Sequence, residues 1–217
     1  MDKYINQIIN ADCLDILREL PDKSIDLVLT DPPYGIGEAK KNNASRSKLA
    51  IAKDYGKKYW DDRIPQKEIF DEIFRVSKNQ IIFGGNYFVE YLHNSSCWLV
   101  WDKNNSGNFA DCELAWTNFK SAVRKYRWTW NGMLQHDMKN KDVRIHPTQK
   151  PLKLFEMILN DYSKENDLIL DCFSGSGTTA VACHNLKRRF ICIEKDEDYY
   201  NASVERLKDA QSQLKLF

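Results

Sequence analysis

The stretch Asp167-Leu168-Ile169-Leu170-Asp171-Cys172-Phe173-Ser174-Gly175-Ser176-Gly177-Thr178 decides the fold. An apolar run ends in an acid, and a glycine turn follows. A helical segment, Thr178 to Asn185, then leads into a second apolar run, Arg189 to Glu194. Strand, glycine turn, helix, strand reads as a right-handed βαβ unit. Glycines at the turn let the backbone bend tightly and come close to a ligand. Glu194 ends the second strand, where a carboxylate can grip both hydroxyls of a ribose. Together these features imply a nucleoside-containing cofactor and leave its identity open. Gly175 to Ala180 also fits the dinucleotide pattern G-x-G-x-x-A, with Glu194 placed 19 residues after Gly175. A helix start that binds nothing would read the same way. Asp171 tips the choice, because an acid before the loop opposes a pyrophosphate and attracts an ammonium such as that of S-adenosylmethionine.

Outward from this unit, strands and helices keep alternating. Cys13 to Leu20 reads as a short helix ended by Pro21, and Ile25 to Thr30 as a buried strand. Gln66 to Val76 reads as a helix and Gln80 to Gly85 as a strand. Three short aromatic pieces, Cys97–Trp101, Glu113–Thr117 and Tyr126–Trp130, are strand-like. A helix from Leu152 to Tyr162 precedes the βαβ unit, and a closing helix carries Tyr200, Val204, Leu207 and Leu214 on one stripe. The pattern predicts an α/β fold with a mostly parallel sheet and helices on both faces.

The strand at Ile25–Thr30 runs directly into Asp31-Pro32-Pro33-Tyr34. That position is the carboxyl end of the sheet, where open α/β folds bind ligands. Two prolines fix φ and remove two N–H donors, which leaves carbonyl acceptors beside a carboxylate. Tyr34 adds a flat stacking face. The set suits a planar heterocycle with an exocyclic amino group, held by Asp31 and the Pro32 carbonyl and activated by positioning and electrostatics. Taken alone, D-P-P is also an ordinary loop after a strand.

These residues, together with His146-Pro147-Thr148-Gln149-Lys150-Pro151, resemble the amino-group DNA methyltransferases. Their catalytic motif is [DNS]-P-P-[YFW] and their cofactor motif is F-x-G-x-G. The catalytic motif comes first here, an order similar to the β class, a circular permutation of the Rossmann-like methyltransferase fold. The resemblance covers almost the whole chain. It implies that Asp31, Pro32, Pro33 and Tyr34 hold and stack on an extruded base. It implies that Phe173, Gly175, Gly177 and Thr178 wrap S-adenosylmethionine, that Asp171 faces its methionine end and that Glu194 holds its ribose. Asp12, next to Cys13, resembles the acid that contacts the adenine, and it is equally placed to N-cap the helix that follows. Thr148 and Lys150 are implied near the cofactor carboxylate, or simply form the loop entering the next helix. The aspartate form of the catalytic motif leans to N6 of adenine and the serine form to N4 of cytosine. C5-cytosine chemistry is disfavoured, since none of the six cysteines follows a proline.

Composition sets the bounds. A chain of 217 residues suits one domain and buries roughly 70% of its unfolded surface. Hydrophobic residues at 42% exclude a disordered chain. No apolar run reaches membrane-span length, and the polar start is not a secretory signal. No C-x-x-C pair occurs, so neither a metal centre nor a disulfide framework is expected. The net charge of +1 hides two basic segments. Residues 40–58 hold seven basic residues and one acid, and residues 117–153 hold nine and two. Arg46, Lys48, Arg124, Lys125, Arg127 and Lys141 are the candidate DNA contacts. The polar loop through residues 42–48 is expected to close over DNA. A basic, aromatic insertion of about 40 residues, roughly 104–145, is expected to read the target, a size that suits a short site or a homodimer sharing the DNA. The resemblance also implies cytoplasmic work in a prokaryotic cell or phage-infected host, with a restriction endonuclease as a partner. A nicotinamide oxidoreductase and a non-catalytic DNA-binding module are the remaining readings.

Overall fold

The computed structural model describes residues 1–37, 58, 60–105, 110–131 and 134–213. Arg46, Lys48, the loop at residues 42–48 and Leu214 lie outside the described residues. The chain runs β1 (Gln7–Asn10), α1 (Cys13–Glu19), β2 (Ile25–Thr30), α2 (Lys67–Val76), β3 (Ser77–Phe83), β4 (Trp98–Asp102), β5 (Cys112–Thr117) and β6 (Arg124–Arg127). A two-stranded piece follows, β7 (Trp130–Asn131) and β8 (Leu134–Gln135). Then come α3 (Leu152–Tyr162), β9 (Leu168–Asp171), α4 (Thr178–Asn185), β10 (Arg189–Glu194) and α5 (Glu197–Ser212).

Eight strands form one sheet in the order β1-β10-β9-β2-β3-β5-β4-β6. All neighbours pair in parallel except at β5, which runs against both β3 and β4. Side chains alternate between two cores, as the pleat requires. Leu27, Leu29, Ile169, Phe190 and Cys192 face the helices α3, α4 and α5. Val28, Leu168, Leu170, Ile191 and Ile193 face α1 and α2. The mostly parallel sheet covered on both faces is as expected.

The connectivity locates the functional edge. From β9 the chain moves through α4 to β10, toward one side of the sheet; from β2 it moves through α2 to β3, toward the other. β2 and β9 are neighbours, with Val28 opposite Leu170. A crevice therefore opens at their carboxyl ends, between Asp31 and Asp171.

Three features depart from expectation. β1 joins the sheet edge although only Ile8 and Ile9 mark it, since it pairs with β10 in register from Gln7 opposite Ile191. α2 passes straight into β3 at Ser77, three residues before the expected strand start. The segment expected as an insertion at about 104–145 supplies β5 and β6 to the main sheet. Among the described residues, those of this segment beyond Arg127 stand outside that sheet. Among the described residues, no helix is long and apolar enough to cross a membrane. All six cysteines are free, five of them buried.

Candidate active site

The ends of β2 and β9 open on a cleft of about 540 Å³, a size ordinary for a small-molecule site. Asp12, Cys13, Asp31, Pro33, Thr148, Lys150, Asp171, Phe173, Gly175, Thr178 and Glu194 all line it. Gly177 does not. It caps α4 at φ 71°, and an added Cβ would fall 3.0 Å from Ser203, so glycine is required there to pack α4 against α5. Tyr34 and the buried Pro32 stand just outside the cleft wall.

Asp171 is buried at the floor. Its Oδ1 accepts from the Thr30 hydroxyl at 2.7 Å and the Phe173 N–H at 3.1 Å, and its Oδ2 accepts from the Thr179 hydroxyl at 2.5 Å. Burial outweighs these donors and pushes the carboxyl up to about 6. A cation bound beside it would relieve that cost. Glu194 closes the far side: Oε2 accepts the Gly175 N–H at 2.7 Å and Oε1 the Asp196 N–H at 2.8 Å. Burial raises this carboxyl too. Each oxygen retains the capacity for one more donor, the requirement for holding a diol.

Asp12 caps the helix as one of its two readings had it, and its place in the cleft wall is compatible with the other. Its Oδ1 caps α1 through the Leu14 N–H at 3.0 Å, its Oδ2 pairs with Lys195 at 2.7 Å, and the residue lines the cleft. The Cys13 thiol is pushed up to about 12 by burial, so it is inert at neutral pH.

At the catalytic motif, Asp31 Oδ1 accepts from the Tyr34 hydroxyl at 2.7 Å, and Oδ2 takes the Lys150 ammonium. Burial lifts Asp31 above its ordinary range against the pull of Lys150. Burial also disfavours the Lys150 charge, but the Asp31 and Glu113 carboxylates outweigh it and hold the ammonium above its ordinary value. Lys150 thus sits on the Asp31 carboxylate, 6% exposed. Tyr34 is packed on two sides. The Tyr87 ring stacks on it at 4.8 Å and 14°, and the backbone of Gly84 presses so close that a Cβ would lie 2.1 Å from a ring carbon. Burial pushes the Tyr34 phenol well up, so it stays a donor.

Two groups at the site escaped the sequence reading: His146, which lines the cleft, and Glu113, which stands behind Lys150. His146 covers Gly175, packed against Tyr199 at 4.2 Å and Trp60 at 5.0 Å. Burial first, and the Lys150 charge second, lower it to about 3, which makes it a neutral ring at physiological pH. The motif His146–Pro151 carried the signal for it. Glu113, which salt-bridges both Lys150 and Lys103, had no signal: its place depends on β5 running backward, so that the start of that strand meets the ends of β2 and β9.

The candidate DNA contacts lie elsewhere. Arg124, Lys125 and Arg127 are exposed on β6, the sheet edge far from β1, where Lys125 and Arg127 lie 3.7 and 3.4 Å from Asp102. Lys141 is exposed beyond β8. None of the four lines the cleft. Among the described residues, no group of His, Cys, Asp or Glu could hold a metal ion.

Comparisons with known proteins agree with this geometry. Residues 101–205 match the family model described as DNA methylase of the N6/N4 type. The type II methyltransferase M2.MboI of Moraxella bovis is 26% identical, over 99% of this chain and 91% of its own length. The crystal structure of the M1.HpyAVI–SAM complex shares 26% identity and superposes with a TM-score of 0.58, covering 93% of this chain and 98% of that one. The cytosine-N4-specific PvuII DNA methyltransferase shares the fold alone, at 18% identity and a TM-score of 0.60, covering 94% and 90%. A carboxylate-proline-proline-tyrosine motif beside a glycine loop, on a sheet of this order and with these relatives, makes the chain similar to the N6/N4 amino-group DNA methyltransferases.

Proposed function

We propose that the chain transfers a methyl group from S-adenosylmethionine to the exocyclic N6 of adenine in DNA, acting on a base extruded from the duplex. The observation that carries this reading is that Asp31 and Asp171, on adjacent strand ends, line one cleft. The cleft's chemistry fits the cofactor. Asp171 offers a carboxylate to an ammonium, Glu194 offers two oxygens to a ribose, and Phe173 and Gly175 lie between them. Bound there, S-adenosylmethionine supplies an electrophilic methyl group.

The protein's part is to hold the nucleophile. Asp31 and the Pro32 carbonyl accept the two amino hydrogens, which favours a lone pair on nitrogen over delocalisation into the ring. The nitrogen that gains a methyl sheds one proton, and the Asp31 carboxylate is the nearest base to receive it. Lys150 and Tyr34 hold that carboxylate in place. Extruding the base costs a few kcal/mol, supplied by contacts to the duplex. Arg124, Lys125, Arg127 and Lys141 are the proposed contacts, with the segment beyond β6 reading the target.

The aspartate of the catalytic motif favours adenine over cytosine. The type II relatives extend the reading to a restriction-modification setting, with an endonuclease that cuts the same sequence and a short site or a homodimer matching the small recognition segment. The test is expression in a host free of DNA methylation, followed by methylation-sensitive long-read sequencing. N6-methyladenine within one short sequence supports the proposal; N4-methylcytosine there would reassign the base, and unmodified DNA would overturn the reading.

A further inference from the structure

Lys150 has two anionic partners. Its ammonium contacts Asp31 Oδ2 and lies 3.1 Å from Glu113 Oε2, while Glu113 Oε1 pairs with Lys103 at 2.5 Å. The four charges alternate in sign, running from Asp31 and Lys150 in the cleft wall to Glu113 and Lys103 behind it. Lys150 is 6% exposed, and Glu113 and Lys103 are largely covered, at 21% and 17%. Lys103 further lies 4.9 Å over the Trp101 ring. Ion pairs shielded in this way are far less screened than surface pairs.

This chain of charges bears on Asp31, which must accept an N–H from the base while an ammonium occupies it. A lysine gripping a single carboxylate would compete with that amino group. A second carboxylate at 3.1 Å shares the ammonium and loosens the grip. On the methyltransferase reading above, we infer that Glu113 is a positioning residue for methyl transfer: by sharing Lys150 with Asp31 it sets how freely Asp31 accepts the target amino group. Glu113 acts through Lys150.

The groups that face Asp31 are Lys150, Glu113, Tyr34 and the Asp171 carboxylate one strand away. Removing the Glu113 charge takes away a repulsion, so Asp31 should ionise at lower pH. Removing the Lys103 charge does the reverse.

Single-turnover transfer of labelled methyl from S-adenosylmethionine to DNA, followed across pH, tests this with the full chain. Glu113→Gln should lower the plateau rate about tenfold, through the lost sharing of Lys150, and move the acidic limb to lower pH. Lys103→Met should move that limb to higher pH, and it carries the test should Glu113→Gln not fold. Glu113→Asp, which keeps the charge, should recover most of the rate. Affinity for S-adenosylmethionine should stay within about twofold in all three, because the groups that hold it are untouched. An unchanged rate and limb in Glu113→Gln, or limbs that move the same way in Glu113→Gln and Lys103→Met, would overturn the inference alone. No transfer by the wild-type chain would overturn the methyltransferase reading and this inference with it.

Discussion

The hydroxyl of Thr30 donates to Asp171 Oδ1 at 2.7 Å and accepts from the Cys172 N–H at 3.2 Å. Thr30 is the last residue of β2, immediately before the catalytic motif, and Asp171 is the last of β9, immediately before the glycine loop. One side chain therefore fastens the ends of β2 and β9, and with them the two halves of the proposed site, to each other.

Thr30→Val keeps the shape and removes both bonds. The Cys172 N–H is then buried without its partner and Asp171 loses one of three donors, a change that should cost about 1–3 kcal/mol of stability. Thermal denaturation reads that loss. Titration with S-adenosylmethionine should show a several-fold weaker affinity, and a variant with wild-type stability and affinity would show that the tie is incidental.

Asp171 gives a pH dependence with a definite sign. Its folded value, about 6, lies above the ordinary 3.8. A raised carboxyl contributes stability that is fully present below about pH 4 and lost as pH rises through 6. Asp171→Asn carries no such loss, so the ligand-free variant should gain on wild type between pH 4 and pH 8, by something on the order of 1–3 kcal/mol. Cofactor affinity should behave oppositely: in wild type it rises between pH 5 and pH 7 as the carboxylate forms, and in Asp171→Asn it is weak and flat. Calorimetric titration at several pH values checks both.

The exposed cations of β6 make a prediction about salt. Replacing Arg124, Lys125 and Arg127 with Gln should weaken DNA binding roughly equally on cognate and unrelated duplexes. The slope of log affinity against log salt should fall by about 2–3. Binding of S-adenosylmethionine should be unaffected, since none of the three lines the cleft.

Much of the architecture was legible in the chain. The runs Ile25–Thr30, Leu168–Asp171 and Arg189–Glu194 are apolar because strands covered on both faces must be, and prolines and glycines mark their ends. The two motifs announce their chemistry because proline and glycine there restrict or free the backbone in ways few other sites need. What stayed hidden depends on long-range pairing. Gln7–Asn10 holds only two apolar residues and becomes a strand because β10 offers it an edge. Lys150 could be assigned to a motif but not to Asp31, 119 residues away. The role of Glu113 follows from the reversal of β5. The basic, aromatic segment at about 104–145 read as an addition to the fold, yet Ala115, Trp116 and Tyr126 within it are buried in the two cores.

Methyl transfer to adenine is read out by incubating the purified chain with labelled S-adenosylmethionine and unmethylated DNA, digesting the product to nucleosides and identifying the labelled species by mass. The wild-type chain should yield labelled N6-methyl-2′-deoxyadenosine. Asp31→Ala should yield about a thousandfold less, as for loss of a group that holds the reacting atom, with cofactor affinity within about threefold of wild type. Label on any other base, or loss of cofactor binding together with activity in Asp31→Ala, would contradict this reading.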